Sequence, residues 1–293
     1  MPDTGRTPRA LSIAGSDSGG GAGIQADLKA FARCGVHGMS AITAITAQNT
    51  LGVDAVYRLP PEIVLAQVRA VIADIGVDAV KVGMLASVEI VHAVALALEE
   101  LPAETPVVLD PVMVSESGAR LLDRDAESAL VAEILPRATI VTPNIPEARV
   151  LAGHAAPRQH EQIEMSAKDE RSKAIGLAQA VSLLGPGIVV LTGGHRAQAI
   201  DLFLAQGAKA EEAIEIPGER YADGAAHGSG CTHSSVLAAQ LALGHTPLQA
   251  AFTARALAGE AVAGGLRDVG EGPGPVDVFG LLRMRAPFTR GPE

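Results

Sequence analysis

Short apolar runs recur along this chain as continuous, β-branched stretches rather than as alternating ones. They lie at Ala10–Ala14, Ala41–Thr46, Ala79–Val82, Val107–Asp110, Thr139–Thr142, Ile188–Thr192 and Ile200–Leu204. Strands buried on both faces read in this way, because neither face meets water. Between them run helical patterns: Val64, Val68, Val71, Ile72 and Ile75 share one face, and Val88, Val91, Ala95 and Leu98 another. The alternation predicts parallel βαβ units, hence an α/β fold with helices on both faces of a mostly parallel central sheet. Cys231–Gly264 is Ala-rich and helical, broken at Gly244–Pro247, and the polar Pro157–Lys173 reads as a surface loop leading into a helix. With no internal repeat and no clear linker, the 293 residues read as one domain over 11–285, with flexible ends at 1–10 and 286–293.

Composition narrows the function classes. No apolar run of about 18 residues is present, so no membrane span is expected. The opening MPDTGRTPRA has no apolar core behind its arginines and does not read as a secretory signal. Cys34 and Cys231 cannot make a disulfide framework and point to a reducing cytoplasm. A net charge of -10 with no basic tract argues against nucleic acid. What remains is a soluble cytoplasmic enzyme or binding domain.

The stretch LSIAGSDSGGGAGIQADLKAF (Leu11–Phe31) is strand, glycine turn, helix, the outline of a phosphate loop. Its details disagree with that outline. The spacing Gly19, Gly21, Ile24 breaks G-x-G-x-x-G, the second strand ends in TAQNT with no acid for a ribose, and no G-K-[ST] follows. Two readings remain: a turn that lets the helix pack close to its strand, or a small-molecule contact. Asp17, Asp27, Gln48 and Asn49 fall near the carboxyl ends of strands, where open α/β sheets bind ligands, and this favours contact.

A second glycine turn lies in AAHGSGCTHSSVLAAQLALG (Ala225–Gly244). Glycines let backbone approach a ligand, and free N–H groups at a helix start form an anion nest. Cys231 falls at or near that start, where the dipole is expected to stabilise a thiolate. The alternative is a buried structural cysteine, the usual fate of a free thiol.

AGSDSGGGAGIQADLKAF, TAQNTLGV, KVGML, LDPVM, TPNIPEA, GGH and HGSGCT occur in an order that resembles the hydroxymethylpyrimidine/phosphomethylpyrimidine kinases of thiamine biosynthesis, members of the ribokinase-like superfamily. The resemblance runs from Leu11 to Gly272–Val276. It implies ATP-dependent phosphorylation of 4-amino-5-hydroxymethyl-2-methylpyrimidine to its monophosphate and then its diphosphate, with Mg²⁺. It places the pyrimidine, not the nucleotide, at the first loop: Gly15, Ala22 and Asp27 lining the pocket, Gln48 on the ring's amino group and nitrogen, Met84 and Val112 as apolar walls. A carboxamide offers donor and acceptor together, which suits an aminopyrimidine edge. It places ATP at the second turn, with Asn144, Glu147, Thr192, Gly228, Ser229 and Gly230 around the phosphates, Asp110 and Glu147 toward the metal, and Cys231 as base or positioning group. A homodimer is also implied.

Three positions depart from the family pattern. Thr192 stands where KGGH is common, Ser115–Gly118 (SESG) where AKSG is common, and His233 follows GCT in place of a small or apolar residue. The first two remove a cation near the expected phosphates, for which His195, Arg196 and His227 are candidate replacements. The second phosphorylation, whose substrate brings a further phosphate, is the step this puts in question. Two alternatives stand beside the pyrimidine kinase: a pyridoxal-type kinase of the same fold, and a non-catalytic pyrimidine- or nucleotide-binding protein. A thiol oxidoreductase is disfavoured, since no C-x-x-C exists and Cys34 is remote from Cys231 in the chain.

Overall fold

The structure is a computed structural model and describes residues 5–115, 118–155, 169–193, 199–221 and 225–281. Its strands are β1 (Arg9–Asp17), β2 (His37–Gln48), β3 (Val53–Arg58), β4 (Ala79–Val82), β5 (Val107–Leu109), β6 (Ile140–Val141), β7 (Ile188–Leu191), β8 (Asp201–Ala205) and β9 (Ile214–Ile216). They form one nine-stranded sheet in the order β3-β2-β1-β4-β5-β6-β7-β8-β9. The neighbours from β2 through β7 are parallel, while β3 at one edge and β8 near the other run against them, and β9 pairs antiparallel with β8. The expected mostly parallel sheet is therefore present, with antiparallel pairings toward its two edges. β3 and β9 were not legible as strands: β3 is an exposed edge and β9 is three residues long.

The helices are α1 (Gly23–Arg33), α2 (Pro61–Asp74), α3 (Val88–Glu99), α4 (Arg124–Ala129, continued by a π turn and a 3-10 turn to Arg137), α5 (Ile145–Ala155), α6 (Glu170–Ser182), α7 (Ser229–Ala242) and α8 (Pro247–Ala263). They cover both faces. One core gathers Leu11, Ile13, Leu109 and Leu191 under α2, α3 and α6, and the other gathers Ala10, Val108 and Val190 under α1, α7 and α8. Successive strand residues thus feed opposite cores, the period-two geometry that makes a doubly covered strand read as an unbroken apolar run.

The helix break near Gly244 has local causes. Gly244 adopts φ +80°, and Thr246 caps α8 by a reciprocal pairing with Gln249, with Pro247 in the first turn. At the other end of the chain, β1 begins at Arg9, inside the stretch expected to be flexible. The Arg9 N–H donates to Asp78 Oδ2 at 2.9 Å and its guanidinium meets Asp78 Oδ1 at 3.0 Å, which pins the strand's start. Residues 157–168 of the polar stretch, and 286–293, lie outside the described residues.

Candidate active site

The first glycine loop leaves β1 at Asp17, and Asp17 fills it. Its Oδ1 accepts the Gly19 N–H at 2.8 Å, and its Oδ2 accepts those of Gly21 at 3.0 Å and Ala22 at 2.8 Å. Oδ2 also faces His227 Nε2 at 3.2 Å. Burial works to raise this carboxyl, but His227 and the loop N–H groups outweigh it and hold it below the ordinary range. The donors a phosphate would need are taken by the chain's own carboxylate. That is the physical reason the loop resembles a phosphate loop without being one.

Of the other polar residues at the strand ends, Asn49 is a turn residue, its Oδ1 accepting from the N–H groups of Leu51 and Gly52. Gln48 is half-buried at the end of β2. Its backbone is pinned by the Ser18 hydroxyl, at 2.8 and 2.7 Å, and its Oε1 accepts from Thr46 Oγ1 at 3.1 Å. Gly15 and Met84 are adjacent: a Cβ at Gly15 would lie 2.9 Å from Met84 Sδ, so only glycine leaves the thioether its place. Val112 is half-buried beyond Asp110, its N–H donating to the Asp110 carbonyl at 2.8 Å.

Asp27 lies elsewhere than the pocket wall expected of it. It is fully buried, and its oxygens accept from Ser12 Oγ at 2.6 Å, Ser235 Oγ at 2.7 Å and Lys81 Nζ at 2.9 and 3.0 Å. Lys81 is itself fully buried and stands 3.8 Å from Asp110 Oδ2. Burial opposes the charge on Lys81, yet Asp27, Cys231 and Asp110 together hold its pKa above the ordinary lysine value. Sequence reasoning gave Lys81 no role, although a signal was present: a lysine inside the wholly apolar run AVKV requires a buried counter-charge.

The second glycine turn caps α7. Gly228 is the N-cap with φ +84°, and Thr232 N–H donates to its carbonyl at 2.9 Å, which leaves Gly230 and Cys231 with the free N–H groups of a helix start. A Cβ on Gly230 would meet nothing within 4 Å, so this end of the helix is open. Consecutive residues of α7 each reach a different acid: His233 Nε2 stands 3.1 Å from Asp201 Oδ2, Ser234 Oγ donates to Asp110 Oδ2 at 2.9 Å, and Ser235 to Asp27. Those acids belong to β8, to the end of β5 and to α1, so the turn is held against three elements at once.

Cys231 is half-buried, and its sulfur accepts the Gly23 N–H at the start of α1. The expected lowering of its pKa is not met. Burial is the largest cause, and the charges of Asp110 and Asp27 add to it. Against the opposing pull of Lys81 and the Gly23 N–H, the thiol is pushed up to about 12. The pull of a helix start on a thiolate does not outweigh burial here, to which the two carboxylates add.

The N-x-x-E of TPNIPEA opens α5 as a reciprocal cap: Asn144 N–H donates to Glu147 Oε2 and Glu147 N–H to Asn144 Oδ1, both at 2.9 Å. Burial, and then the charge of Asp110, push the Glu147 carboxyl up to about 8, against the N–H groups of Asn144 and Met113. Asp110 is likewise raised, by burial first and by Asp27, against Lys81 and Ser234. Thr192, at the end of β7, donates its N–H to the Pro143 carbonyl at 2.9 Å and so sits beside this cap. Of the candidate replacement cations, His227 is engaged by Asp17. His195 and Arg196 lie outside the described residues, as does Glu116. No cluster of three or more His, Cys, Asp or Glu suited to a metal stands among the described residues.

Asp17, Gln48, Asp110 and Thr192 stand at the carboxyl ends of the parallel strands β1, β2, β5 and β7, the ligand-binding edge of an open α/β sheet. Two solved structures resemble the fold over most of its length. The ADP complex of Bacillus subtilis pyridoxal kinase superposes with a TM-score of 0.80 at 33% identity, covering 94% of this chain and 99% of that one. The phosphomethylpyrimidine kinase of Clostridium difficile 630 does so with a TM-score of 0.67 at 38% identity, covering 84% and 96%. The fold is thus that of the ribokinase-like small-molecule kinases.

The phosphomethylpyrimidine kinase family profile matches residues 17–277. The hydroxymethylpyrimidine/phosphomethylpyrimidine kinase of Rhizobium meliloti is 44% identical over 276 residues, 93% of this chain and 97% of that protein. This chain belongs to the phosphomethylpyrimidine kinase family.

Proposed function

We propose that the chain transfers the γ-phosphoryl group of ATP to the hydroxymethyl oxygen of 4-amino-5-hydroxymethyl-2-methylpyrimidine, and then to the resulting monophosphate. The observation that carries this reading is the meeting of the two glycine turns: Gly21 packs on Gly228, and Cys231 touches Gly23 between them. A substrate held by the first turn therefore presents its hydroxyl to the second. Gln48 Oε1 and Nε2 would match the aminopyrimidine edge, with Met84 and Val112 as walls. The Gly230 and Cys231 N–H groups would receive the negative charge on the phosphoryl oxygens, the stabilisation that phosphoryl transfer chiefly needs.

Asp110 and Glu147 fit a hard divalent cation. Burial raises both carboxyls, with Asp27 adding to it at Asp110 and Asp110 adding to it at Glu147, the condition a cation relieves, and Mg²⁺ retains waters and takes few protein ligands. When bound it would supply charge neutralisation to the phosphates. Lys81, behind Asp110, keeps the acids from destabilising the fold. With its thiol pushed up to about 12, Cys231 keeps its own proton at neutral pH and acts by aligning the acceptor hydroxyl rather than as its base; in a loose transition state that hydroxyl proton leaves late.

A pyridoxal-type activity is the second reading, favoured by the higher TM-score to the pyridoxal kinase. ADP release with the hydroxymethylpyrimidine, its monophosphate and pyridoxal decides. We expect the pyrimidine to be turned over most efficiently, and no ADP with either pyrimidine would overturn the reading. We also infer a cytoplasmic homodimer joined through the exposed Ile45, Val56 and Tyr57 of β2 and β3, which sedimentation would test. No helix among the described residues is long and apolar enough to cross a membrane.

A further inference from the structure

The two glycine turns touch at three separate points. A Cβ on Gly228 would overlap the Gly21 carbonyl oxygen, and one on Gly21 would overlap the His227 ring and lie 3.0 Å from Pro275 Cβ. Only glycines permit this approach. The second point is Gly23 N–H on the Cys231 sulfur. The third is His227 Nε2, 3.2 Å from Asp17 Oδ2, with the side chains 14% and 3% exposed. The same Asp17 oxygen accepts the N–H groups of Gly21 and Ala22, so His227 grips the atom around which the first loop is wound. His227 is itself fixed from behind, since its carbonyl accepts the Val276 N–H at 3.1 Å.

One residue before the N-cap of α7, His227 therefore joins the turn that faces the phosphates to the loop that faces the pyrimidine. Both partners are nearly buried, so the contact is little screened by solvent. A contact of this kind sets the distance between the two reactants more than the affinity for either. Displacement of about 1 Å between reacting groups can cost about a hundredfold in rate.

We propose that His227 is a positioning residue for phosphoryl transfer: through Asp17 it holds the pyrimidine loop and the Gly228–Cys231 turn in register. This rests on the assignment of the two turns to the two substrates. It makes His227 a contact within the protein rather than a replacement phosphate cation.

Steady-state kinetics with ATP and the hydroxymethylpyrimidine varied separately test it, on the wild type, His227→Ala, His227→Gln and Asp17→Asn. His227→Ala should lower kcat about tenfold or more, with both KM values within about threefold of wild type, the signature of an interaction that serves the transition state. His227→Gln, whose Nε2 can still donate to Asp17, should recover much of the loss. Asp17→Asn should reproduce the kcat loss, and it carries the test if the alanine variant does not fold. An unchanged kcat in folded His227→Ala would overturn the proposal. So would a rise confined to KM for ATP, which would make His227 a nucleotide contact, or equal activity of the Ala and Gln variants. A wild type that turns over neither pyrimidine would instead overturn the substrate assignment itself.

Discussion

Lys81 and Asp27 form a salt bridge of 2.9 Å in which neither side chain is exposed at all. Ser12 and Ser235 complete the hydrogen bonding of the carboxylate, and Asp110 stands on the far side of the ammonium. Removing the cation leaves a buried carboxylate uncompensated. Lys81→Met is expected to cost about 3–5 kcal/mol in urea unfolding, and adding Asp27→Asn should return a large part of it. If the double variant is as unstable as the single, the pair is not the source of the effect.

Gln48 carries a different expectation, since its side chain serves no part of the core. Gln48→Ala should weaken pyrimidine binding by about 1–3 kcal/mol through loss of a paired polar contact, with ATP affinity nearly unchanged. Calorimetric titration of each ligand measures both. Equal losses for the two ligands would place Gln48 outside the pyrimidine pocket.

Glu147→Gln keeps an oxygen for the Asn144 N–H, so the cap of α5 should survive. The amide lacks the charge that a divalent cation needs. The Mg²⁺ concentration for half-maximal rate should therefore rise, by about tenfold as an order of magnitude for one lost carboxylate. An unchanged Mg²⁺ titration would leave Glu147 as a helix cap alone.

Cys231 is protonated at neutral pH if its thiol is pushed up to about 12. Alkylation by iodoacetamide, followed in a Cys34→Ser background, should be slow at pH 7 and rise about tenfold per pH unit up to pH 9. Bound pyrimidine should protect. Cys231→Ser should lower kcat while ATP binding persists, because the backbone N–H groups of the turn remain. Fast alkylation at pH 7 would restore the thiolate reading, and wild-type turnover in a folded Ser variant would leave the thiol as packing.

Acid stability follows from Asp17 and Asp201. Burial works to raise Asp201, but His233, Arg255 and the Gly193 N–H outweigh it and hold the carboxyl below the ordinary aspartate range, and Asp17 is lowered likewise. Depressed carboxyls contribute stability that is present above their unfolded pKa and lost as pH falls through the folded one. Unfolding free energy should therefore drop below pH 4, and Asp201→Asn should flatten that part of the curve. Asp110 and Glu147, whose carboxyls are raised, act in the opposite direction at higher pH and do not shape this window. A parallel curve in the variant would show that Asp201 takes no part.

The alternation of strands and helices, the break at Gly244 and the two glycine turns were legible along the chain, because each depends on neighbours within a few residues; the cap that Asn144 and Glu147 form was not read from it. Helical and extended periodicity and a positive φ at glycine are local physics. The fate of the charged groups was not local. Whether the first loop's N–H groups face an anion or Asp17, whether Asp27 lines a pocket or holds Lys81, and whether the Cys231 thiol is lowered or raised all turned on partners far away in the chain. Ser235 lies 208 positions from Asp27, and His227 lies 210 from Asp17. Burial decides such questions, since a charge removed from water must find its counterpart wherever the fold brings one, and only the packed sheet with α7 laid across its strand ends brings these together.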